Sequence, residues 1–458
     1  MGLFSSLRGH AGLLLVIVVG LAARLVVAPY TSGSDIPQFA GFADSFLRHG
    51  LDFYLYVTGD NAGREGWAYP WPYVYGPLTI LMLAAVRLAA PGSVYHGFRD
   101  GSYVVLAPRD WIVAAKLLFI FWDTVSAVLV YLVALRLSGS RGRAAGAALL
   151  YYWNPMVAYI SAVYGMLDPV MLAFMLAGIL LLLDGPGRRG RWLAGLSLIG
   201  LSLAVKPTAV YVVLPLAFYA LLRHGPRRGV EALLAPLLVA LAVYAPFLLR
   251  HGALRAYLEA VRSVACPCYS VPVVYSFNGI MSIAFYAWNH LGVNTSYVLG
   301  KWPLLFAPTY IAALASAWRS RSPVVPVALG YITYTATYWR VNHQYLVPTA
   351  AFAALLLVEL GGWPRRLSLL TLALIGLWPL MYPISFWARV HIASPNPTIV
   401  KLLDSTSLAV FDELAYIYYA LALTASQLLL IAVTTLQTGP RPRELLEAVK
   451  RLIEGPRC

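Results

Sequence analysis

The stretch MLAFMLAGILLLL at residues 171–183 determines the class of fold, because it is apolar throughout and does not alternate. A strand of a membrane barrel alternates apolar and polar side chains, so this run is typical of a helix. Of the 458 residues, 60% are hydrophobic and only 12% are charged. A soluble domain carries about 25% charged residues, and half of that leaves too little polar surface for a water-exposed globule. The sequence therefore predicts an all-α polytopic membrane protein.

Long apolar runs recur along the chain. A bilayer core of about 30 Å requires roughly 20 apolar residues per helix. This criterion predicts about twelve transmembrane helices, at residues 11–30, 112–135, 144–163, 168–183, 192–205, 208–222, 230–249, 303–318, 324–339, 345–361, 367–387 and 410–436. Two further stretches, 77–91 and 272–288, are shorter or interrupted, and are compatible with spans, re-entrant segments or interfacial helices.

The net charge of +15 comes from 34 Lys and Arg against 19 Asp and Glu. In a soluble protein it would suggest nucleic acid, but cytoplasmic loops of membrane proteins also accumulate Lys and Arg. If the N-terminus is cytoplasmic and the two ambiguous stretches do not cross, every compact Arg cluster falls on one side. The clusters are Arg8, Arg136/Arg141/Arg143, Arg188/Arg189/Arg191, Arg223/Arg227/Arg228, Arg319/Arg321 and Arg365/Arg366, followed by a basic tail. The pattern predicts that both termini are cytoplasmic and that no nucleic acid is bound.

This topology divides the chain into one transmembrane domain, residues 1–437, and a short basic cytoplasmic tail, residues 438–458. The domain has a large first external loop at 31–110 and a second at 251–302. Three cysteines, Cys266, Cys268 and Cys458, imply no disulfide framework. Two thiols near His251 are too weak a signal for a metal site, so none is predicted.

The segment TSGSDIPQFAGFADSFLRHG, residues 31–50, follows the first predicted span. Its apolar residues recur at helical spacing, which predicts an amphipathic helix lying on the membrane surface. Asp35 stands at the start of this helix, and two interpretations are open. It caps the helix, with Gln38 completing a capping box, or it is a functional carboxylate. Asp44, further along the helix, is a second acidic candidate.

Residues 67–79, WAYPWPYVYGPLT, are dense in aromatic residues and proline. Trp and Tyr favour the membrane–water interface, which is one interpretation. The other is a wall that stacks on a sugar or lipid headgroup, with Tyr75 among its members, because such rings combine an apolar face with a polar tip.

Further polar residues fall on the same predicted side as Asp35. They are Asp168, Lys206, Arg250, Arg340, His343 and Gln344. Ionisable groups in or near a bilayer cost roughly 2.5–3.5 kcal/mol each, which favours a function. A carboxylate that accepts a hydroxyl proton, with cations that stabilise a phosphate leaving group, suits transfer from a phosphate-linked donor.

Structural explanations exist for several of these polar residues. Asp168 can cap a helix, while Lys206 and Arg250 can extend to the interface. Asp123 lies within a span, and we predict that it bonds to a neighbouring helix instead of taking part in chemistry. Lys116 lies too far from it along the same helix to pair directly.

The motifs resemble those of the GT-C class of integral-membrane glycosyltransferases, which use polyprenyl-phosphate-linked sugars. Asp35 and Asp44 resemble the acidic motif of mannosyltransferases that begin glycosylphosphatidylinositol assembly. The segment 73–79 is similar to their Y-x-Y-x-P-L pattern, and Trp153-Asn154-Pro155 with Gly165–Asp168 resembles their N-P…G-N-x-D segment. The turn His343-Gln344-Tyr345-Leu346 is similar to a late turn of the family. Taken together, the resemblance runs from about residue 11 to 437.

This resemblance implies a GT-C fold with interfacial helices in the first external loop and an extracytoplasmic active site. Asp35 would be the general base, and Asp44 a second acidic residue near the acceptor. His343 and Gln344 would lie on the donor-phosphate side, and the reaction would be an inverting single displacement. The implied partners are a polyprenyl-phosphate-linked sugar, with mannose implied by the resemblance, a glycolipid or glycoprotein acceptor, and the bilayer. Relatives with monophosphate donors commonly need no metal, so no cofactor is expected.

The main alternative is a multi-span transporter or flippase of a lipid-linked saccharide. It would predict helices broken near the bilayer midplane and internal pseudo-symmetry. In this sequence the polar residues instead gather at one face beside a long loop, which favours the enzyme.

Overall fold

The computed structural model describes residues 11–99, 102–383, 397–441 and 444. Helices dominate it, which confirms the predicted fold class of a helical, multi-pass membrane protein. In chain order they are α1 Ala11–Val27, α2 Asp35–His49, α3 Ala62–Glu65, α4 Pro77–Ala89, α5 Arg109–Ser138, α6 Arg141–Tyr152, α7 Pro155–Ala158, α8 Asp168–Leu182, α9 Arg189–Val205, α10 Val213–His224, α11 Pro226–Leu248, α12 Ala253–Ala265, α13 Gly279–Leu291, α14 Ser296–Gly300, α15 Pro303–Ala315, α16 Val324–Thr337, α17 Leu346–Glu359, α18 Gly362–Met381, α19 Pro397–Asp404, α20 Ser407–Val410 and α21 Glu413–Thr438. Arg8 and nearly all of the predicted basic tail lie outside the described residues.

Every predicted span contains a helix. The number of these helices that cross the membrane stays a prediction. Six helical segments in the described part of the chain are long and apolar enough to cross a membrane by length and composition. They are Ala11–Tyr30, Arg109–Ser138, Pro207–His224, Pro226–Leu248, Ser296–Trp318 and Glu413–Thr438. Several others, such as α8 and α16, are apolar but shorter.

The helix predicted over residues 144–163 is broken in the structure. Helix α6 ends at Tyr152, and the Asn154 side chain accepts a hydrogen bond from the Met156 amide at the start of α7. The chain then runs as a π-helix from Tyr159 to Tyr164. Asn154-Pro155 causes the break, because proline cannot donate the helical hydrogen bond and fits best in a first helical turn.

A short strand pair interrupts the helices of the described chain between α4 and α5. Strands β1 Tyr95–Arg99 and β2 Ser102–Leu106 pair antiparallel, with Tyr95 opposite Leu106. Tyr103 on β2 donates a hydrogen bond to the carbonyl of Ala68, 2.6 Å away, which ties this hairpin to the aromatic segment. A search for apolar runs of about 20 residues does not detect strands this short.

The amphipathic helix predicted after the first span is present as α2, but its apolar face is not on the membrane surface. Ile36, Phe39 and Phe42 are fully buried within the protein. The Phe42 ring makes edge contacts with Trp67 at 4.7 Å and Tyr73 at 5.1 Å between ring centroids. Part of the aromatic segment is therefore core, and neither interfacial anchoring nor ligand stacking accounts for those two rings.

A buried polar cluster lies within the helix bundle between α1, α5 and the π-helix. Arg24 pairs with Asp123 at 2.8 Å, and both side chains are almost completely inaccessible. Tyr151 donates to the other carboxylate oxygen of Asp123 at 2.9 Å, and Ser161 donates to the Arg24-facing oxygen at 2.7 Å. The prediction that Asp123 bonds to neighbouring helices is confirmed. We call Arg24, Asp123, Tyr151 and Ser161 the interior cluster.

Candidate active site

Asp35 lies in the first turn of α2 and is held by a residue that is distant in sequence. The hydroxyl of Tyr164 donates to Asp35 Oδ2 at 2.5 Å, and Ser34 Oγ lies 2.9 Å from the same hydroxyl. The Gly33 amide also donates to the Tyr164 carbonyl at 2.7 Å. The π-helix that ends at Tyr164 and the chain leading into α2 are thus joined at both backbone and side chain.

The capping interpretation of Asp35 is wrong. Asp35 is already helical, and the residue before it forms no side-chain cap. Gln38 does not turn back to complete a capping box. Its amide nitrogen donates to the carbonyls of Tyr69 and Trp71, both at 3.0 Å, and its amide oxygen accepts from the Tyr69 amide. Gln38 therefore fixes the aromatic segment beside α2.

Lys116, on α5, joins the two chain segments that carry Asp35 and Tyr164. Its buried Nζ donates to the Val163 carbonyl at 2.8 Å, to Thr31 Oγ1 at 2.9 Å and to the Thr31 carbonyl. Because these oxygens lie next to Tyr164 and just before Asp35, the ammonium group fixes the position of one segment relative to the other. None of its partners, which also include the Ala28 carbonyl at 3.1 Å, is a carboxylate, so Lys116 acts through backbone carbonyls and the Thr31 hydroxyl.

A second carboxylate, Asp168, begins α8 and is fully buried. Lys206 Nζ donates to Asp168 Oδ1 at 2.7 Å, from the turn between α9 and the 3₁₀ segment Pro207–Val212. The Lys206 ammonium also lies 4.4 Å from the centroid of the Tyr345 ring and 5.8 Å from that of Tyr75. The backbone before Lys206 is fixed by the aromatic segment, since Val205 accepts bonds from the Gly76 amide and the Thr79 hydroxyl.

Gly76 allows this close approach. A Cβ atom at Gly76 would lie 1.9 Å from the Ala204 carbonyl oxygen, which is shorter than any van der Waals contact. Only glycine fits where the aromatic segment meets the end of α9.

The turn 340–344 brings the remaining candidates to the same place. Arg340 donates from Nη1 to the Tyr269 hydroxyl at 2.9 Å, and its guanidinium lies 5.0 Å from the centroid of the Trp71 ring. The His343 ring packs against Tyr164 at 4.4 Å and stacks on Trp378 at 5.2 Å between ring centroids. Tyr164 thus contacts Asp35 through its hydroxyl and His343 through its ring.

Several buried polar atoms at this place have no hydrogen-bond partner among the described residues. They are Asp168 Oδ2, Tyr331 OH, Arg340 Nε, Asn342 Oδ1, His343 Nε2 and Gln344 Oε1. A buried polar group without a partner costs about 1–3 kcal/mol, so such groups are uncommon in a finished core. These six are half of the twelve such atoms in the described chain, and their concentration in one turn and beside one ion pair suits a polar ligand.

Electrostatics distinguishes the ionisation of Asp35 from that of His343, which both lie outside the predicted membrane-spanning segments. Burial raises the pKa of Asp35, while the bond from Tyr164 and the charges of Lys206 and Arg340 partly offset that rise. Burial, with a contribution from the Lys206 charge, lowers the pKa of His343 to about 3. The imidazole is therefore neutral near pH 7, and Asp35 is a better proton acceptor than an ordinary aspartate.

Two of the sequence-predicted residues lie elsewhere. Asp44 is nine residues from Asp35 along α2, about 13.5 Å, and forms a two-pronged ion pair with Arg87 at 2.7 and 3.0 Å. Arg250 pairs with Asp52 at 3.2 Å, with both side chains about half exposed. The structure brings together Asp35, Asp168, Lys206, Arg340, His343 and Gln344, with Tyr75 at their edge.

Sequence reasoning missed Tyr164, Tyr345 and Trp71 as members of the site. Tyr164 and Tyr345 directly adjoin motif residues, and this position in the sequence could have indicated that they belong to the site. Trp71 belongs to the aromatic segment and contacts Arg340, while its neighbours Trp67 and Tyr73 are core. Composition alone does not distinguish these three rings.

The cysteines behave differently from the sequence expectation. Cys266 and Cys268 form a disulfide. In the part of the chain that the structure describes, no group of three or more His, Cys, Asp and Glu side chains is arranged to hold a metal ion. Whether the reaction needs a metal stays a prediction.

The described geometry places the carboxylate of Asp35 near the cations Lys206 and Arg340. Residues 109–249, under a third of the chain, match the family described as dolichyl-phosphate-mannose-protein mannosyltransferase. The matched region contains Tyr164, Asp168 and Lys206. The family match confirms the predicted resemblance to membrane glycosyltransferases over this region and supports a glycosyltransferase.

The chain is also similar to solved structures of ArnT from Cupriavidus metallidurans. The structure bound to undecaprenyl phosphate has 15% sequence identity and a TM-score of 0.47, covering 92% of this chain and 77% of ArnT. The apo structure has 14% identity and a TM-score of 0.42, covering 93% and 77%. No protein with a curated function matches the chain in sequence.

Proposed function

We propose that this protein transfers a sugar from a polyprenyl-phosphate donor to a hydroxyl of a lipid- or protein-linked acceptor on the extracytoplasmic face. Mannose is the first sugar to test, because it appears in the description of the matching family. The observation that carries the proposal is the Asp35–Tyr164 pair, set beside Lys206, Arg340 and unsatisfied polar atoms.

In the proposed step, the acceptor hydroxyl oxygen attacks the anomeric carbon of the donor sugar. Asp35 takes the hydroxyl proton as the new carbon–oxygen bond forms, and Tyr164 orients the carboxylate. The bond between the anomeric carbon and the phosphate oxygen breaks, and polyprenyl phosphate leaves with the electron pair. A single displacement inverts the configuration at that carbon.

Arg340 is the better candidate of the two cations for the leaving phosphate. Lys206 is already paired with Asp168, so its charge is largely balanced. Arg340 has no carboxylate partner among the described residues, and its Nε has no bond within them. A guanidinium can make two parallel bonds to a phosphate, which stabilises the charge that develops as the donor bond breaks.

His343 and Gln344 would contact the donor through hydrogen bonds instead of charge. The low pKa of His343 keeps its ring neutral, and its Nε2 has no partner in the described chain. The stacking on Trp378 and the contact with Tyr164 fix the plane of the His343 ring. Its Nε2 would therefore face a donor hydroxyl or phosphate oxygen in a fixed direction.

The test uses the purified full chain in proteoliposomes with a panel of polyprenyl-phosphate sugars and candidate acceptors. We expect sugar transfer by the parent protein and a loss of about 10²–10⁴-fold in Asp35→Asn, the usual contribution of general base catalysis. Asp52→Asn is the matched control, because it removes a carboxylate from the same predicted loop at a half-exposed ion pair.

Equal rates in Asp35→Asn and the parent would contradict the proposed base. If no donor is consumed while a lipid-linked saccharide crosses the bilayer, the transporter alternative holds. The proposal includes no cofactor, and a parallel assay with a chelator tests that part.

A further inference from the structure

A charged cavity lies at the other end of α8 from the candidate active site. It has a volume of about 540 Å³ and is lined by Arg136, Leu180, Leu181, Asp184, Arg188 and Arg191. Helix α8 begins at Asp168 in the candidate active site and ends at Leu182, beside this cavity. Its 15 residues correspond to about 22 Å, so the two sites lie at opposite ends of one helix.

The cavity is organised around a single carboxylate. The Asp184 side chain is only 10% exposed and receives Arg136 on Oδ1 and Arg191 on Oδ2, the latter at 2.5 Å. Arg188 lies 3.9 Å from Oδ2. Three positive charges therefore surround one negative charge, and an excess of two remains at the cavity.

The arginines have donors left for a ligand. Each guanidinium carries five N–H groups, and the bonds to Asp184 use only a few of them. Asp184 holds the arginine heads together against their mutual repulsion, which leaves the remaining N–H groups close to one another. A phosphate accepts several such bonds at once, and two guanidinium groups match its oxygens well.

The apolar part of the lining indicates what kind of phosphate the cavity suits. Leu180 and Leu181 belong to the last turn of α8 and line the cavity beside Arg136, which lies in the last turn of α5, a helix long and apolar enough to cross a membrane. Leucine side chains do not stabilise a free phosphate. They do stabilise the first carbons of an acyl chain, because the contact removes apolar surface from water. Basic pockets at the cytoplasmic ends of membrane helices are physically suited to lipid headgroups.

We propose that this cavity binds the headgroup of an anionic phospholipid. The site is separate from the transfer reaction, and it does not depend on the proposed function. It differs from the general attraction of basic loops to anionic membranes, because it requires these arginines around Asp184 and not just their total charge.

The test measures lipid retention on the purified full chain by native mass spectrometry, and thermal unfolding in detergent with added lipid. The probes are phosphatidylglycerol, phosphatidylcholine and inorganic phosphate. The cavity variant is Arg136→Gln/Arg191→Gln, and the control is Arg365→Gln/Arg366→Gln, which removes the same charge on the same predicted side but outside the cavity.

We expect phosphatidylglycerol to be retained in preference to phosphatidylcholine and to raise the unfolding temperature of the parent. The cavity variant should lose about tenfold in phosphatidylglycerol affinity, while the control keeps it. An equal loss of phosphatidylglycerol affinity in both variants would show only general electrostatic attraction and would overturn the proposed lipid site. Competition by inorganic phosphate alone would show a free-anion site and overturn the lipid assignment.

The cavity variant needs a folding check, since it leaves Asp184 with fewer partners. Its unfolding temperature in phosphatidylcholine alone serves for this purpose. If it is unfolded, Arg188→Gln replaces it, because Arg188 makes the longest of the three contacts and contributes least to holding Asp184.

Discussion

The interior cluster and the candidate active site are both buried and both built from charged residues, but they differ in how completely they are bonded. Arg24 uses its nitrogens on Asp123, Ser161, Gly20 and Tyr152, and Asp123 accepts from three partners. Asp168, Arg340, His343 and Gln344 each keep a buried atom without a partner in the described chain. Full satisfaction of the interior cluster fits a structural role, whereas the unsatisfied atoms grouped in the candidate active site leave bonding positions for a substrate.

The largest expected effect tests the structural half of this comparison. Arg24→Met should lower the free energy of unfolding by about 3–5 kcal/mol, because it leaves Asp123 charged and buried without its partner. Transfer activity per folded molecule should stay close to that of the parent. Thermal unfolding in detergent and assays on the folded fraction measure the two quantities.

The double variant Arg24→Met/Asp123→Leu is the control for that prediction. Replacing both charges removes the unpaired carboxylate, so much of the lost stability should return. A catalytic defect in the double variant, with stability restored, would contradict the purely structural role of the interior cluster.

The next effect concerns Tyr164. A hydrogen bond to a charged group contributes about 1.5–3 kcal/mol, so Tyr164→Phe should slow transfer roughly 10- to 100-fold. That bond lowers the pKa of Asp35, and its loss should raise the pKa further above the ordinary 3.8. Asp35 must be ionised to accept a proton, so the acidic limb of the pH–rate profile should move to higher pH.

The measurement compares the pH dependence of kcat/KM in Tyr164→Phe with that of the parent protein. A slower enzyme with an unmoved acidic limb would mean that Tyr164 supports the fold and not the ionisation of Asp35.

A smaller effect with an unusual sign is expected at Gln344. Gln344→Leu removes a buried acceptor without a partner in the described chain, so the free energy of unfolding should be unchanged or rise, by up to about 1–3 kcal/mol. KM for the donor should rise, by roughly tenfold, as the proposed contact is lost. Lower stability together with an unchanged KM would place Gln344 in the fold and not in the donor site.

The smallest effect on catalysis is expected at Asp44. Asp44→Asn weakens a two-pronged ion pair whose Arg87 side chain is only 6% exposed, at a cost of about 1–3 kcal/mol in stability. Transfer should remain within about threefold of the parent rate, because α2 carries Asp44 far from Asp35. A loss as large as that of Asp35→Asn would restore the role implied by the resemblance.

Much of the site could be predicted from the sequence through sidedness and motif order. Asp168, Lys206 and the pair Arg340 and His343 come from three separate turns, and a consistent topology places such turns at one face. The separation of Asp44 was also accessible, since nine residues are two and a half helical turns and put it on the opposite face of α2 from Asp35.

Other features depend on packing that no local pattern records. Trp67 and Tyr73 are buried and pack against Phe42, while Trp71, from the same segment, contacts Arg340. The burial of α2 was missed because an amphipathic helix has the same spacing whether it lies on a bilayer or on protein. Only the neighbours of α2 distinguish these two cases.

The π-helix at Tyr159–Tyr164 has a consequence for how this gene can change. A π-helix accommodates an extra residue within a helix, and residues in a regular helix are separated by about 100° around its axis. Deleting one residue from 159–163 would restore the regular pitch, turn Tyr164 by about that angle and carry its hydroxyl away from Asp35. Gly165, whose φ of +88° favours glycine, would be displaced together with it. Insertions and deletions in this short stretch should therefore be far less tolerated than substitutions, and its length is a simple marker for chains that keep the same carboxylate–tyrosine pair.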